Sequence, residues 1–240
     1  MPSATDEVTI ALPGPEFRVL ALDGNPVAVP RPVPSLPLAP VERVDAIVEM
    51  TRPGVWIFGS TDDHERAKGM GMVVEYAERR DKPKWLKPPD STWDDNFFGS
   101  RGTATKPDHT FNLVFEKVLG GRGGFNRWTI NGKSFPDTKP LRVEAGKRYR
   151  LVLRNNSGDA HPIHLHRHTF ELTKVAGKFT SGIIKDVIDV PRYRALAAGS
   201  GLLVHGQRRQ DGLRDDPQSS FSYRRWGWLL VGGRALHLSR

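Results

Sequence analysis

The stretch His161-Pro-Ile-His164-Leu-His166-Arg-His168-Thr-Phe170 places four imidazoles within eight residues. In an extended strand, side chains alternate between the two faces, so His164 and His166 project to one face and His161 to the other. Pro162 lacks a backbone donor and stiffens the approach to the strand. Imidazole nitrogen binds copper, zinc, iron and nickel, so residue type alone indicates a metal site without choosing the metal.

The composition favours an all-β protein. The chain has 240 residues, of which 38% are hydrophobic, and it contains 24 Gly and 19 Pro between many short apolar runs. Such punctuation is typical of short strands joined by turns, and this length is ample for a packed core. No run approaches the roughly 20 apolar residues that a membrane-spanning helix needs. The first residues show no secretory signal pattern.

Charge and cysteine content limit the function classes. The formal net charge is +9, which raises nucleic acid or an anionic surface as a partner. Residues 197–240 hold seven Arg and no Lys or Glu, so the excess is concentrated there and argues against a basic face over the whole protein. The chain has no cysteine, which excludes disulfides, thiolate catalysis and any cysteine-ligated metal centre within it.

Period-two patterns divide the chain into four predicted parts. Residues 1–77 read as the C-terminal half of a β-sandwich domain, 78–107 as an extended, proline-rich linker, and 108–196 as a second, incomplete sandwich. Residues 197–240 form an aberrant Arg-rich tail, whose bias fits out-of-frame translation of GC-rich DNA, with an ordinary tail as the alternative. The predicted strands are Val44–Met50, Gly54–Gly59, Gly71–Tyr76, Phe111–Phe115, Trp128–Ile130, Leu141–Val143, Tyr149–Leu153 and Phe170–Leu172.

Several short sequence motifs outside the histidine stretch carry a family resemblance. They are Phe125-Asn-Arg-Trp128-Thr-Ile-Asn131-Gly132, Gly146-Lys-Arg-Tyr149, Asn155, and Lys185-Asp186-Val-Ile-Asp-Val190-Pro191, with Asp23-Gly24, Glu42-Arg43 and Pro53-Gly54-Val-Trp56 upstream. Together with His161–Phe170, these motifs resemble the C-terminal region of bacterial laccase-like multicopper oxidases. The resemblance implies a cupredoxin-like Greek-key β-sandwich, with part of a second cupredoxin domain N-terminal to it.

The same resemblance implies copper as the cofactor and assigns ligands. Carried across by position, His161 would bind a mononuclear blue copper, His164 a type 2 copper and His166 one copper of a type 3 pair. His168 would not be a ligand and would pack or support the ligands. Arg167 would orient a carboxylate such as Asp186. In the family, a small reducing substrate gives up electrons at the blue copper, and dioxygen is reduced to water at the three-copper cluster.

The chain departs from the family pattern where that chemistry needs a thiolate. Gly201-Leu-Leu-Val-His205-Gly206-Gln207 stands where the family shows an apolar run ending in His-Cys-His. The cluster also needs two His-x-His pairs, and none precedes His161, because His64 and His109 are isolated. We therefore expect a fragment of a laccase-like oxidase that binds copper through His161, His164 and His166 but is inactive alone.

Two alternatives remain open. The chain could be a non-catalytic copper-binding or subunit-interaction module that completes a split oxidase together with a missing N-terminal half. It could instead be a basic nucleic-acid binder that uses arginines and tryptophans of the tail, namely Arg208, Arg209, Arg214, Arg224, Arg225, Trp226 and Trp228. The family implies a periplasmic or extracellular protein, whereas the chain shows no export signal, so the sequence leaves the localisation open.

Overall fold

The computed structural model describes most of the chain. The described residues are 7–90, 93–100, 106–120, 126–144, 146–166, 168–193, 200–205, 228–231 and 234–237. For the last three ranges only the backbone is considered. The frameshift question and the arginines proposed for nucleic-acid binding therefore concern residues mostly outside the described ranges, and Arg167 lies outside them too.

The described residues are almost entirely β, which confirms the all-β prediction. A short helix, α1 (Asp63–Ala67), and a 3-10 helix over Asp95–Phe98 are the helical elements among them. The strands are β1 Val8–Ala11, β2 Phe17–Leu22, β3 Asn25–Val33, β4 Leu36–Leu38, β5 Val44–Val48, β6 Val55–Ser60, β7 Gly71–Glu75, β8 His109–Val118, β9 Arg127–Ile130, β10 Arg148–Asn155, β11 His161–Leu165, β12 Phe170–Val175, β13 Lys178–Phe179, β14 Ile184–Lys185, β15 Val187–Val190, β16 Ser200–His205, β17 Trp228–Val231 and β18 Arg234–His237.

The N-terminal part forms two sheets. One has the order β4-β1-β6-β7 and the other β3-β2-β5, with all pairs antiparallel. The strands β1 to β4 were not predicted, in part because β3 contains Pro26, Pro30 and Pro32. Proline cannot donate to a ladder, but β3 lies at a sheet edge, where that loss is tolerated.

The C-terminal part also forms two sheets. The larger has the order β13-β12-β16-β10-β8-β9, with β14 paired to β12, and the smaller has the order β15-β11-β17-β18. Strand β10 pairs in parallel with β8 and antiparallel with β16. The strand that carries the histidines, β11, therefore lies between β15 and β17 in the smaller sheet.

Two local predictions had different outcomes. Asn131 and Gly132 both have positive φ, and a bridge pairs Ile130 with Lys133, so the predicted turn is confirmed. The predicted strand Leu141–Val143 is wrong, because these residues adopt no strand. The following amide, on Glu144, donates to the Tyr149 hydroxyl at 2.8 Å rather than to a neighbouring strand.

The sequence predicted that residues 78–107 form an extended linker. In the structure, this segment also contributes a buried aromatic group. Phe98 is fully buried, and its ring contacts those of Trp93 and Phe97 edge-on at 5.1 and 5.4 Å. The indole N–H of Trp93 donates to the carbonyl of Ser35 at 2.9 Å. Apolar residues of both parts of the chain, including Leu22 and Phe170, join Phe98 in one buried cluster. Among the described residues, no helix is long and apolar enough to cross a membrane.

Candidate metal centre

The histidine strand β11 is held on both sides by backbone pairing. His161 lies opposite Val190 and His164 opposite Val187 on β15, while His164 also lies opposite Leu230 on β17. The strand ends at Leu165, and His166 lies in a turn. The alternation expected for an extended strand therefore does not reach His168.

His161 occupies an aromatic pocket in the C-terminal part. Its side chain is 2% exposed, Trp128 meets it edge-on at 5.1 Å between ring centroids, and Phe115 lies 5.7 Å away. Its Nε2 lies 2.8 Å from the Ser157 hydroxyl. Its Nδ1 is buried and has no hydrogen-bond partner among the described residues.

The surroundings of Ser157 fix which nitrogen of His161 carries the proton. The hydroxyl of Ser157 lies 2.7 Å from Asn155 Oδ1 and 3.1 Å from the Asp159 carbonyl, and both of these oxygens can only accept. Because a serine hydroxyl has one hydrogen, it donates to these acceptors and accepts from the imidazole. Nε2 is then the N–H of His161, and Nδ1 presents a buried lone pair.

Burial favours the neutral form of this imidazole. Burial lowers the pKa of His161, and the Lys117 ammonium lowers it further, while Asp159 acts in the opposite direction. Lys117 is tied to Asp159 at 2.8 Å and lies over the Trp128 ring at 4.7 Å. Since a metal ion binds the neutral ring, a lowered pKa favours metal over proton at Nδ1. The unpartnered, buried and neutral Nδ1 fits a metal ligand.

His164 and His166 form the second feature. Their ring centroids are 4.7 Å apart with an interplanar angle of 55°, and both side chains are half-buried. His164 Nδ1 lies 2.9 Å from the backbone carbonyl of Asp186. A carbonyl only accepts, so Nδ1 is the N–H and Nε2 carries the lone pair. The chemistry of the pair, two imidazoles side by side, also fits a metal that prefers nitrogen ligands.

Among the described side chains, no further histidine forms a metal-binding group of three or more with these rings. His168 is half-buried, and burial lowers the pKa of its ring. His64 is exposed on α1, and His109 stacks on Tyr149 at 5.5 Å. His205 ends β16, and its side chain is outside the described part. Within the described ranges, no group of three or more His, Asp or Glu side chains is placed to hold a metal ion.

Sequence reasoning missed the groups that support these rings. Asn155, fully buried, donates to the carbonyls of Asp159, Val190 and Pro191 at 2.7 to 3.2 Å and accepts from Ser157. Asn155 is one of the motif positions that carry the family resemblance in the sequence, whereas no sequence pattern singles out Ser157. The predicted partner of Asp186 was Arg167, which lies outside the described residues. The structure pairs Asp186 with Arg43, at 2.7 and 2.9 Å.

Comparison with known proteins places these features in context. The sequence profile described as multicopper oxidase matches residues 110–198. The multicopper oxidase MmcO of Mycobacterium tuberculosis is 32% identical over 194 residues, which are 78% of this chain and 37% of that protein. Copper resistance protein A of Escherichia coli is 39% identical over 79 residues, which are 31% of this chain and 13% of that protein.

Solved structures agree on the fold. A multicopper oxidase from Campylobacter jejuni, described as a metallo-oxidase, matches with a TM-score of 0.57 and 17% identity over 84% of this chain and 45% of that one. A laccase-like multicopper oxidase of Ochrobactrum sp. matches with a TM-score of 0.56 and 19% identity, over 84% and 46%. The chain thus spans less than half the length of each of these relatives.

Proposed function

The chain carries a multicopper oxidase domain of the cupredoxin fold, and we propose that its histidine strand supplies copper ligands at two separate places. His161 serves one place through Nδ1, and His164 and His166 serve the other. Copper is the cofactor that the family implies, and imidazole is a ligand that suits it. We also propose that residues 1–77 are part of a preceding cupredoxin domain, which the two N-terminal sheets support.

One observation carries the proposal. The Nδ1 atom of His161 is buried without a hydrogen-bond partner among the described residues, whereas buried polar atoms in proteins are usually paired. Leaving a buried polar atom unpaired costs about 1–3 kcal/mol, so such an atom calls for an explanation. A metal ion bound at this lone pair is an explanation that the neutral ring and its fixed tautomer both favour.

The surrounding residues have separate roles in this proposal. Ser157 holds the Nε2–H of His161, and Phe115 and Trp128 exclude water from the ring. The Asp186 carbonyl holds the Nδ1–H of His164, so that Nε2 carries the lone pair on a ring 4.7 Å from that of His166. Copper, when bound, would supply one-electron redox chemistry.

The proposed activity of these 240 residues on their own is copper binding without four-electron reduction of dioxygen. The sequence contains no cysteine, so it lacks the thiolate that blue copper requires in the family. Two imidazoles at His164 and His166 also supply only part of a copper cluster. A laccase-like oxidase built from this chain therefore needs ligands from residues outside the printed sequence.

Copper titration of the purified full chain tests the proposal. We expect two classes of Cu(II) site in electron paramagnetic resonance and calorimetry, without an intense blue absorption band. His161→Ala should remove one class, and the double change His164→Ala with His166→Ala the other. His64→Ala, an exposed histidine on α1, is the matched control and should change neither.

Two results would overturn parts of the proposal. Copper binding that persists unchanged in the His161, His164 and His166 variants would place the metal elsewhere. Steady oxygen consumption by the copper-loaded chain with a phenolic substrate would refute its catalytic incompetence.

A further inference from the structure

Three consecutive residues beside the histidine strand are held by the N-terminal part of the chain. Lys185 donates to Glu42 at 2.7 Å, and Asp186 accepts two hydrogen bonds from Arg43 at 2.7 and 2.9 Å. The amides of Asp186 and Val187 donate to the Asp23 carboxylate at 3.2 and 3.0 Å. We call this set of contacts, between Asp23, Glu42, Arg43 and residues 185–187, the clamp.

The clamp combines buried contacts of Asp23 and Lys185 with a more exposed, two-pronged ion pair between Arg43 and Asp186. The Asp23 carboxylate is fully buried, and Lys185 is 3% exposed. The Arg43 guanidinium binds both oxygens of Asp186, a planar fork that lysine cannot reproduce. Arg43 and Asp23 also fix each other, because the amide of Arg43 donates to Asp23 Oδ1 at 3.0 Å and the amide of Asp23 donates to the Arg43 carbonyl at 2.8 Å.

The clamp ends at a proposed copper ligand. The carbonyl of Asp186 accepts from His164 Nδ1 and from the Leu165 amide, both at 2.9 Å. The carboxylate of Asp186, which Arg43 holds, lies 3.6 Å from the same Nδ1. The position of Asp186 therefore determines which nitrogen of His164 is protonated and how its ring is turned.

We propose that Arg43 and Asp23 are positioning residues that hold Asp186 so that His164 presents Nε2 to the metal. The N-terminal part of the chain thus sets the geometry of a ligand 121 residues beyond Arg43. His161 is held by Ser157 within its own part and is independent of the clamp. The role of Nε2 toward copper rests on the proposed function, whereas the tautomer of His164 does not.

Nitrogen-15 NMR of the metal-free full chain tests the proposal directly. Long-range correlations distinguish the two neutral tautomers of each histidine, and loss of a signal set in His164→Ala identifies His164. We expect the Nδ1–H form for His164 in the wild type. Arg43→Gln should release Asp186 and shift His164 toward a mixture with the Nε2–H form, while His161 keeps its Nε2–H form. Arg43→Lys keeps the charge without the fork and should fall between the two.

The control is Arg80→Gln, which removes an exposed 3.8 Å ion pair with Glu75 and should leave both histidines unchanged. In copper titrations, Arg43→Gln should weaken the His164 and His166 site about tenfold or more and spare the His161 site. An unchanged His164 tautomer in folded Arg43→Gln and Arg43→Lys would overturn the inference. Equal disturbance of His161 and His164 would also overturn it, since that is the pattern of a general structural role.

The NMR and copper results separate this inference from the proposed function. A His164 tautomer shift in Arg43→Gln, together with a wild-type chain that binds no copper, would support the positioning role and refute the proposed copper sites. Copper binding that is lost with His164→Ala but unaffected by Arg43→Gln would refute the positioning role and support the proposed sites.

Discussion

His161 and His164 lie three residues apart on one strand, yet they are held in different ways. The ring of His161 is enclosed by Phe115, Trp128 and Ser157, all from the C-terminal part. The ring of His164 is half-buried, and its orientation depends on Asp186, which the N-terminal part holds through Arg43.

The two rings also present different nitrogens. Ser157 leaves Nδ1 of His161 with the lone pair, whereas the Asp186 carbonyl leaves Nε2 of His164 with it. Identical side chains on one strand therefore offer different nitrogens to a ligand because of the groups that contact them. The comparison teaches that a histidine motif specifies residue types, and that its supporting contacts specify what each ring can bind.

The largest expected effect is on the free energy of unfolding and comes from Lys185, a residue of the clamp that supports His164. Lys185→Ala should lower the free energy of unfolding by about 3–5 kcal/mol, because it leaves the buried carboxylate of Asp23 and the half-buried carboxylates of Glu42 and Asp95 without their shared cation. Urea denaturation measures the loss. Lys87→Ala, which breaks an exposed pair with Asp90, should change it by less than about 0.5 kcal/mol and is the control. Equal, small effects would show that the clamp adds little to stability.

The next effect concerns the support of His161. Asn155→Ala should cost about 3 kcal/mol, since it leaves several buried carbonyls and the Ser157 hydroxyl without their partner. Nitrogen-15 NMR should then show a tautomer mixture at His161 with His164 unchanged, the reverse of the result expected for Arg43→Gln. A variant that alters His164 instead would break the comparison between the two rings.

A third effect lies on the strand that pairs with both histidines. Burial raises the pKa of Asp189 from 3.8 to about 6, and Glu42 and Glu7 add to the rise. The folded chain then keeps a proton that the unfolded chain releases, so stability falls as the pH rises from about 4 to 6. Asp189→Asn removes this penalty and should be about 1–2 kcal/mol more stable than the wild type at pH 7.5.

The control for that prediction is the same measurement at a pH at which the Asp189 carboxyl is protonated. At pH 4 the wild type and Asp189→Asn should have nearly equal free energies of unfolding, because the carboxyl is then largely protonated in the folded chain. A gain that is the same at both pH values would mean that ionisation of Asp189 is not its cause.

The smallest effect is that of one hydroxyl. Ser157→Ala should lower the free energy of unfolding by about 1 kcal/mol, because one hydrogen bond to His161 is lost in a packed site. The copper site at His161 should weaken about tenfold, as expected for the partner of a ligand ring, while the other site keeps its affinity. Calorimetry on the full chain separates the two sites. Equal weakening of both would contradict the independence of the two rings.

Local patterns predicted much of the fold. The strands around Val44–Val48, Val55–Ser60 and Arg148–Asn155 follow period-two patterns that a half-buried strand imposes on its sequence. The turn at Asn131 and Gly132 follows from their tolerance of positive φ. The histidine stretch was recognisable because several residues of a metal-binding type lie close together in the sequence.

The remaining features depend on contacts between distant residues. Arg43 and Asp186 are 143 positions apart, and no local pattern shows which arginine a carboxylate will meet. Phe98 lies in a polar, proline-rich segment, and its burial depends on a cluster with residues distant in the sequence, such as Leu22 and Phe170. Leu141–Val143 has a strand-like pattern, but the amide of Glu144, which follows it, donates a hydrogen bond to the Tyr149 hydroxyl. The histidines of the candidate site could thus be named from the sequence, whereas the groups that support their rings could not.

The place of β16 in the larger sheet bears on how this chain is made by the ribosome. Residues 200–205 lie between β10 and β12, although both of those strands are synthesised earlier. Until translation has passed His205, the facing edges of β10 and β12 offer unpaired amides and carbonyls to any other nascent chain. A nascent or partly folded chain in which residues 200–205 have not yet paired therefore carries two open strand edges, a feature that promotes association with other chains.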